Sequence, residues 1–258
     1  MRINKLFSTF LKKIFLSFYG HDRKVMIMKR GLFKGIKLNI FPKHNLHLIY
    51  RNIEPDLQKI LEKFLSKGDT VFDVGANIGY VSIAMSKLIG KHGKVISFEP
   101  IEETSSSFLE NIRINESDNI TLVSKALSDK VETVTFRIPD SKSNHSVASM
   151  MWHKSNKNTI DCKVKTVVLD DMHEYKDLSP SFIKIDVEGA EGKVILGMKN
   201  LISRCRPLIY IECSKAGRQT TWDIFKELKY SCFFCFNLDK EVVNFSEYRH
   251  NDFVWIPN

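Results

Sequence analysis

The eight residues Asp73-Val74-Gly75-Ala76-Asn77-Ile78-Gly79-Tyr80 join an apolar run at 70–74 to a helical pattern from about 77 to 89, and this junction constrains the fold most. Glycines between a buried strand and a helix let the backbone turn sharply and approach a ligand closely. The same alternation continues downstream: strand 94–98, helix 103–114 and strand 120–124, with crossovers too long for hairpins and long enough for one helix each. Later come strand 181–186, helix 190–202, strand 207–212, helix 218–227, strand 229–236 and a terminal strand 252–256. The expectation is an α/β, Rossmann-like domain with a mostly parallel seven-stranded sheet and flanking helices. Strands at 131–138 and 159–169 form an inserted pair around the polar segment 140–158, a length that in a compact domain is usually functional or disordered.

Upstream, 52–67 reads as a helix closed by Gly68, and 31–42 as a short hairpin or pair of edge strands. The formal charge of +9 would suggest nucleic acid, but its distribution argues otherwise: residues 1–51 hold 12 Lys/Arg against Asp22 alone, and the other 207 residues hold 27 basic and 29 acidic side chains. The chain therefore divides into a basic arm with short strands, 1–51, and a nearly neutral domain, 52–258. Within the arm, Ile3, Leu6, Phe7, Phe10, Leu11, Ile14, Phe15 and Phe18 share one helical face, with Arg2, Lys5, Lys12 and Lys13 mostly between them. Such a face can pack on the protein or a second subunit, or lie in an anionic membrane surface. The longest apolar run, 232–236, is too short to span a bilayer. Five cysteines, mostly in apolar stretches, fit reduced buried thiols and a cytoplasmic setting, peripheral contact with the membrane's inner face included.

Glu99 ends the strand after the glycine turn, 20 residues beyond Gly79, where a carboxylate can accept hydrogen bonds from two ribose hydroxyls. The ligand is then a nucleoside, though not a dinucleotide: with Gly75 as the first glycine of G-x-G-x-x-G, the other two fall on Asn77 and Tyr80. No phosphate-binding G-x-x-x-x-G-K-[ST] loop is present either. Asp73 places an anion beside the turn, which suits an ammonium group. S-adenosylmethionine offers both an ammonium and a ribose.

The block at 73–79, Phe98-Glu99-Pro100, Ala126-Leu127-Ser128-Asp129 and Lys184-Ile185-Asp186-Val187-Glu188-Gly189-Ala190-Glu191 together resemble the FkbM-type S-adenosylmethionine-dependent methyltransferases, within the class I methyltransferase superfamily. Glu54 and Glu212 also match that pattern, and the resemblance covers roughly residues 50–213. It implies that Asp73, Gly75, Ala76, Asn77 and Gly79 line the methionine half of the cofactor, that Glu99 with Pro100 holds the ribose, and that Ala126 and Leu127 border the adenine. Glu54 and Asp186 join this cofactor set.

Asp186 and Glu188 lie on one face of an extended segment at the carboxyl end of the fourth parallel strand, where open α/β sheets bind ligands. Asp186 is the first candidate to align or deprotonate an acceptor hydroxyl and Glu188 the second. His145, like His153, lies in the polar insert, from which an imidazole could reach the acceptor. Glu191 reads equally as a first-turn helix acid. Asp170 and Asp171 could join Asp186 and Glu212 around a divalent cation, but no ligand spacing supports this and no metal is expected. The resemblance implies an O-methyltransferase acting on a sugar, a glycan, lipid-linked glycans included, or a secondary metabolite, in polysaccharide biosynthesis for example. No Pro-Pro or Pro-Cys dipeptide offers a nucleic-acid methylation signature, so nucleic acid is the weaker partner. The alternatives are an RNA methyltransferase using its arm for phosphate contacts, and a membrane-recruited module that binds cofactor without turnover.

Overall fold

The computed structural model describes residues 22–139, 159–187, 189–215, 217–247 and 251–258. β1 (Lys24–Ile27) and β2 (Lys37–Ile40) pair antiparallel with Met26 opposite Leu38, the two strands together spanning more than the expected hairpin. Helices α1 (Pro42–Tyr50) and α2 (Pro55–Phe64) each begin with proline, whose missing N–H is harmless in a first turn. α1 is an addition to the expected elements, and Pro55 starts α2 later than the apolar spacing implies.

The core then runs β3 (Thr70–Val74), α3 (Tyr80–Ile89), β4 (Lys94–Phe98), α4 (Glu102–Ile114) and β5 (Ile120–Val123). The insertion comes next as β6 (Ala126–Leu127), β7 (Thr133–Pro139) and β8 (Thr159–Val167), with β8 antiparallel to β7 and parallel to β6. The chain finishes with β9 (Phe182–Asp186), α5 (Glu191–Leu196), α6 (Lys199–Cys205), β10 (Leu208–Glu212), α7 (Arg218–Glu227), β11 (Tyr230–Phe234), β12 (Asn237–Glu241) and β13 (Asp252–Pro257).

The main sheet has the order β12-β11-β13-β10-β9-β3-β4-β5. β10, β9, β3, β4 and β5 pair parallel, whereas β13 is antiparallel to both β10 and β11. The sheet is thus mixed and eight-stranded, which corrects the expected seven. The additional strand, β12, escaped because it is a polar edge strand with Leu238 as its one large apolar residue, so it lacks the alternation of a half-buried strand. The expected helix 190–202 is two helices. A Cβ on Gly197 would come within 2.0 Å of the Ser128 carbonyl oxygen, and the chain breaks its helix where it passes this backbone.

Central strands are apolar on both faces, as parallel strands covered by helices must be. Phe72, Val74, Ile183, Ile185, Ile209 and Ile211 belong to one buried cluster, while Val71, Phe182, Leu208 and Tyr210 join a second with the β1–β2 ribbon, α2 and α3. Each fully buried Ile or Phe contributes roughly 1.5–3 kcal/mol. Period-two alternation puts Asp73, Lys184 and Asp186 on the second face. The ribbon is tied to the core by amides of α4: Asn111 and Asn115 accept from the Asn39 and Lys37 N–H groups, and Asn115 donates back to the Lys37 carbonyl. Among the described residues no helix is long and apolar enough to cross a membrane.

Candidate functional site

The carboxyl ends of β3, β4 and β9 converge on the glycine turn. Gly75 adopts φ +79°, and a Cβ there would lie 1.8 Å from the Asp186 carbonyl oxygen, so only glycine lets the turn pass against the end of β9. The Gly75 and Ala76 N–H groups both donate to the Phe98 carbonyl, which fastens the turn to β4. Gly79 at φ +88° faces the Phe108 ring. The Ile78 carbonyl accepts from the Asn111 side chain.

Glu99 is 1% exposed and its two carboxylate oxygens accept from the N–H groups of Asn77 and Ile101, both at 3.0 Å. Burial pushes its carboxyl up to about 7, against the pull of those two bonds. Half-buried Pro100 follows it. Asn77 has φ +51°, and its buried Oδ1 has no hydrogen-bond partner.

The centre of charge is Lys184. Its ammonium lies 3.4 Å from Asp73 and 3.3 Å from Asp186, and donates to the Gly75 carbonyl at 3.2 Å. The side chain is 5% exposed, Asp73 is wholly buried and Asp186 is 31% exposed. Burial works against the lysine's charge, yet Asp73 and Asp186 hold its proton affinity above the ordinary lysine range. Asp73 also accepts from Ser82, which in turn accepts from Ser97. Asp73 is therefore a buried support engaged by a lysine, not an open wall for an ammonium group as its sequence position suggests. Of these two carboxylates, Asp186 is the one with access to solvent.

Glu54, 19 residues before Asp73, is brought to the same end of the sheet by the left-handed turn that starts α2. Its carboxylate accepts a hydrogen bond from Tyr80, the first residue of α3. Burial raises the Glu54 carboxyl above its usual range, opposed by Lys184 and by the Tyr80 hydroxyl, and the Tyr80 hydroxyl is likewise pushed well up. Glu54, Asn77 and Tyr80 line a cavity of about 180 Å³ with His47, Leu48, Ile53 and Ile78.

Of the expected residues, the fold thus assembles Glu54, Asp73, Gly75, Ala76, Asn77, Gly79, Glu99, Pro100 and Asp186. Ala126 packs with Val164 and with Ile101, the residue whose N–H donates to Glu99, whereas Leu127 is buried in the main core. Core burial leaves Leu127 little surface for an adenine. Asp170 accepts from the Asn200 and Leu201 N–H groups at the start of α6, well employed away from Asp186. Glu191 is buried and accepts from Gly189 and Ser214, holding the loops after β9 and β10 together. Glu188, His145, His153 and the arm at 1–18 lie outside the described residues.

Sequence reasoning missed Lys184 and Tyr80. The signal for Lys184 was present: a charge flanked by Ile183 and Ile185 at an inward position of a buried strand must have charged partners, because an unpaired ammonium there is prohibitively expensive.

Comparison with known proteins places a family profile, Methyltransferase FkbM domain, on residues 73–247. The ribosomal protein L11 methyltransferase of Alkaliphilus oremlandii (strain OhILAs) is 34% identical over 83 residues, 30% of this chain and 26% of that protein. The chain spans about a quarter of the length of the curated relatives it matches. Among solved structures, the methyltransferase FkbM from Methylobacillus flagellatus KT aligns with 74% of this chain and 44% of its own at 17% identity and a TM-score of 0.49. An S-adenosylmethionine-dependent O-methyltransferase from Thermotoga maritima aligns with 88% of this chain and 71% of its own at 10% identity and a TM-score of 0.48.

Proposed function

This chain belongs to the FkbM methyltransferase family, whose methyl donor is S-adenosylmethionine, and from that premise we propose that it transfers a methyl group to a hydroxyl of a sugar or glycan. The observation that carries the reading is Asp186, a partly exposed carboxylate at the carboxyl end of β9, fixed by Lys184 against the turn that would hold the donor.

The residues present suit the cofactor. Glu99 keeps a free lone pair on each oxygen after accepting from Asn77 and Ile101, as a ribose diol requires. Asn77 Oδ1 is a buried acceptor without a donor, and Glu54 offers a second acceptor in the same cavity. When bound, the cofactor supplies an activated methyl on a sulfonium. The chain's own task is alignment, because displacement at that methyl needs the acceptor oxygen held in line. Asp186 accepts the hydroxyl proton or orients the hydroxyl through a hydrogen bond. Lys184 keeps Asp186 in place from beneath, and Glu188 and His145 are further candidates for the acceptor side.

The basic arm fits a lipid-linked acceptor at a membrane's inner face, since its aromatic residues share one helical face with lysines between. The test is methyl transfer from radiolabelled donor to a panel of glycans and lipid-linked glycans, with ribosomal RNA and ribosomal proteins as competing acceptors. Labelled glycan, lost in Asp186→Asn while cofactor affinity is retained, supports the reading. Label in RNA or protein alone overturns it, and cofactor binding without any product would leave a binding module.

A further inference from the structure

We infer that Glu54 is the residue through which the site distinguishes the cationic methyl donor from its neutral demethylated product, taking up a proton once the sulfonium charge is gone. The inference rests on the proposed cofactor site. Asp73 and Asp186 share the Lys184 ammonium at 3.4 and 3.3 Å, but among the described residues no cation stands within ion-pair distance of Glu54. Its hydrogen bond comes from Tyr80, a neutral phenol. Among the described residues its charge compensation is the longer-range pull of Lys184, which Asp73 and Asp186 already engage, and it lines a cavity with Asn77, whose buried Oδ1 has no donor.

The groups around Glu54 leave an excess of negative charge. α1 contributes His47, β3 contributes Asp73, α3 contributes Tyr80 and β9 contributes Lys184 and Asp186, while Asp56 on Glu54's own segment is paired with Lys59. Tyr210 on β10 also feels the Glu54 charge. With one ammonium facing three carboxylates, a bound cation is favoured and Glu54 stays ionised beside it.

Methyl transfer to a hydroxyl removes that cation. The carbon–sulfur bond breaks with its electron pair left on sulfur, a carbon–oxygen bond forms from an oxygen lone pair, and the hydroxyl proton is released. The bound cofactor loses one positive charge while one proton becomes available, so protonation of Glu54 keeps the charge of the site constant. Burial already favours its protonated form.

Calorimetry of the full-length protein with S-adenosylmethionine and S-adenosylhomocysteine at about pH 7, in two buffers of different ionisation enthalpy, counts the protons. The expected result is an excess uptake of roughly half a proton or more with the product relative to the donor. Glu54→Gln should abolish this difference and reduce the preference for donor over product by roughly tenfold. Tyr80→Phe, which removes the hydroxyl that stabilises ionised Glu54, should move the uptake to higher pH and decides the matter if the glutamine variant does not fold. Equal proton counts for the two ligands, or a difference that survives Glu54→Gln, would overturn the inference alone. Failure of both ligands to bind would remove the cofactor site itself and the inference with it.

Discussion

Gly75 and Asp186 touch through backbone: the position a Cβ on Gly75 would occupy lies 1.8 Å from the Asp186 carbonyl oxygen. The turn that leaves β3 and the end of β9 are thereby held at one separation. Any side chain at residue 75 must displace the strand end that carries Asp186.

Gly75→Ala is accordingly expected to lower stability by about 3 kcal/mol or more, since it combines left-handed strain with an overpacked backbone contact. Urea denaturation measures this. A loss within the range of an ordinary surface substitution would show that the turn can move away from β9.

Lys184→Met should be more harmful than the loss of its hydrogen bond to the Gly75 carbonyl suggests. It leaves Asp73 wholly buried without a cation, a change that costs about 3–5 kcal/mol. Asp73→Asn combined with Lys184→Met removes the pair together and should restore most of that stability. The contribution of Lys184 is fully present below the ordinary lysine value of 10.5 and is lost only as the pH rises beyond it, so it shapes no transition near neutrality. Denaturation midpoints of the wild type, Asp73→Asn, Lys184→Met and the double variant at neutral pH test this, and additive losses would contradict the pairing.

Glu99 gives a trend of the same sign in a lower window, close to neutrality. Its carboxyl rises from 4.5 to about 7 on folding, so the folded protein binds more protons than the unfolded chain across that window. Stability should therefore fall by about 3 kcal/mol from this group as the pH climbs from about 4.5 to 7, and stay level above it. Glu99→Gln should flatten the slope by that amount, whatever its effect on absolute stability. An unchanged slope would mean that another group, Glu54 first, carries the linkage.

Deleting residues 1–20 should abolish sedimentation with anionic liposomes if the arm's apolar face meets lipid. Retained sedimentation would reject a membrane role for the arm, and loss of the cooperative unfolding transition would assign that face to the protein's own packing.

Residues whose pattern records a single dominant force were legible in the sequence. The central strands declare themselves by continuous burial, and the glycines at 75 and 79 by a backbone that other residues strain to adopt. Glu99 was found because its distance from the turn reflects the length of one helix and one strand. β12 was not, because a polar edge has no apolar face to reveal it. The charge cluster was only half legible: Glu54, Asp73 and Asp186 stand in motifs, but the partners of Asp73 and Glu54 are Lys184 and Tyr80, which the chain brings in from 111 and 26 residues away. The inward turn of Asp73 came from strand alternation, and its burial from the lysine opposite it in register.

Asn111 and Asn115 reach across from α4 to the outer edge of β2, filling with side-chain amides the donor and acceptor positions of an adjacent strand. That edge is consequently closed to strand addition by another chain, and the ribbon cannot be extended into an intermolecular sheet on this side without first breaking these amide bonds. Because Asn111 also donates to the Ile78 carbonyl, such a break would loosen the glycine turn as well, so protection against misassembly and the shape of the cofactor turn depend on the same side chain.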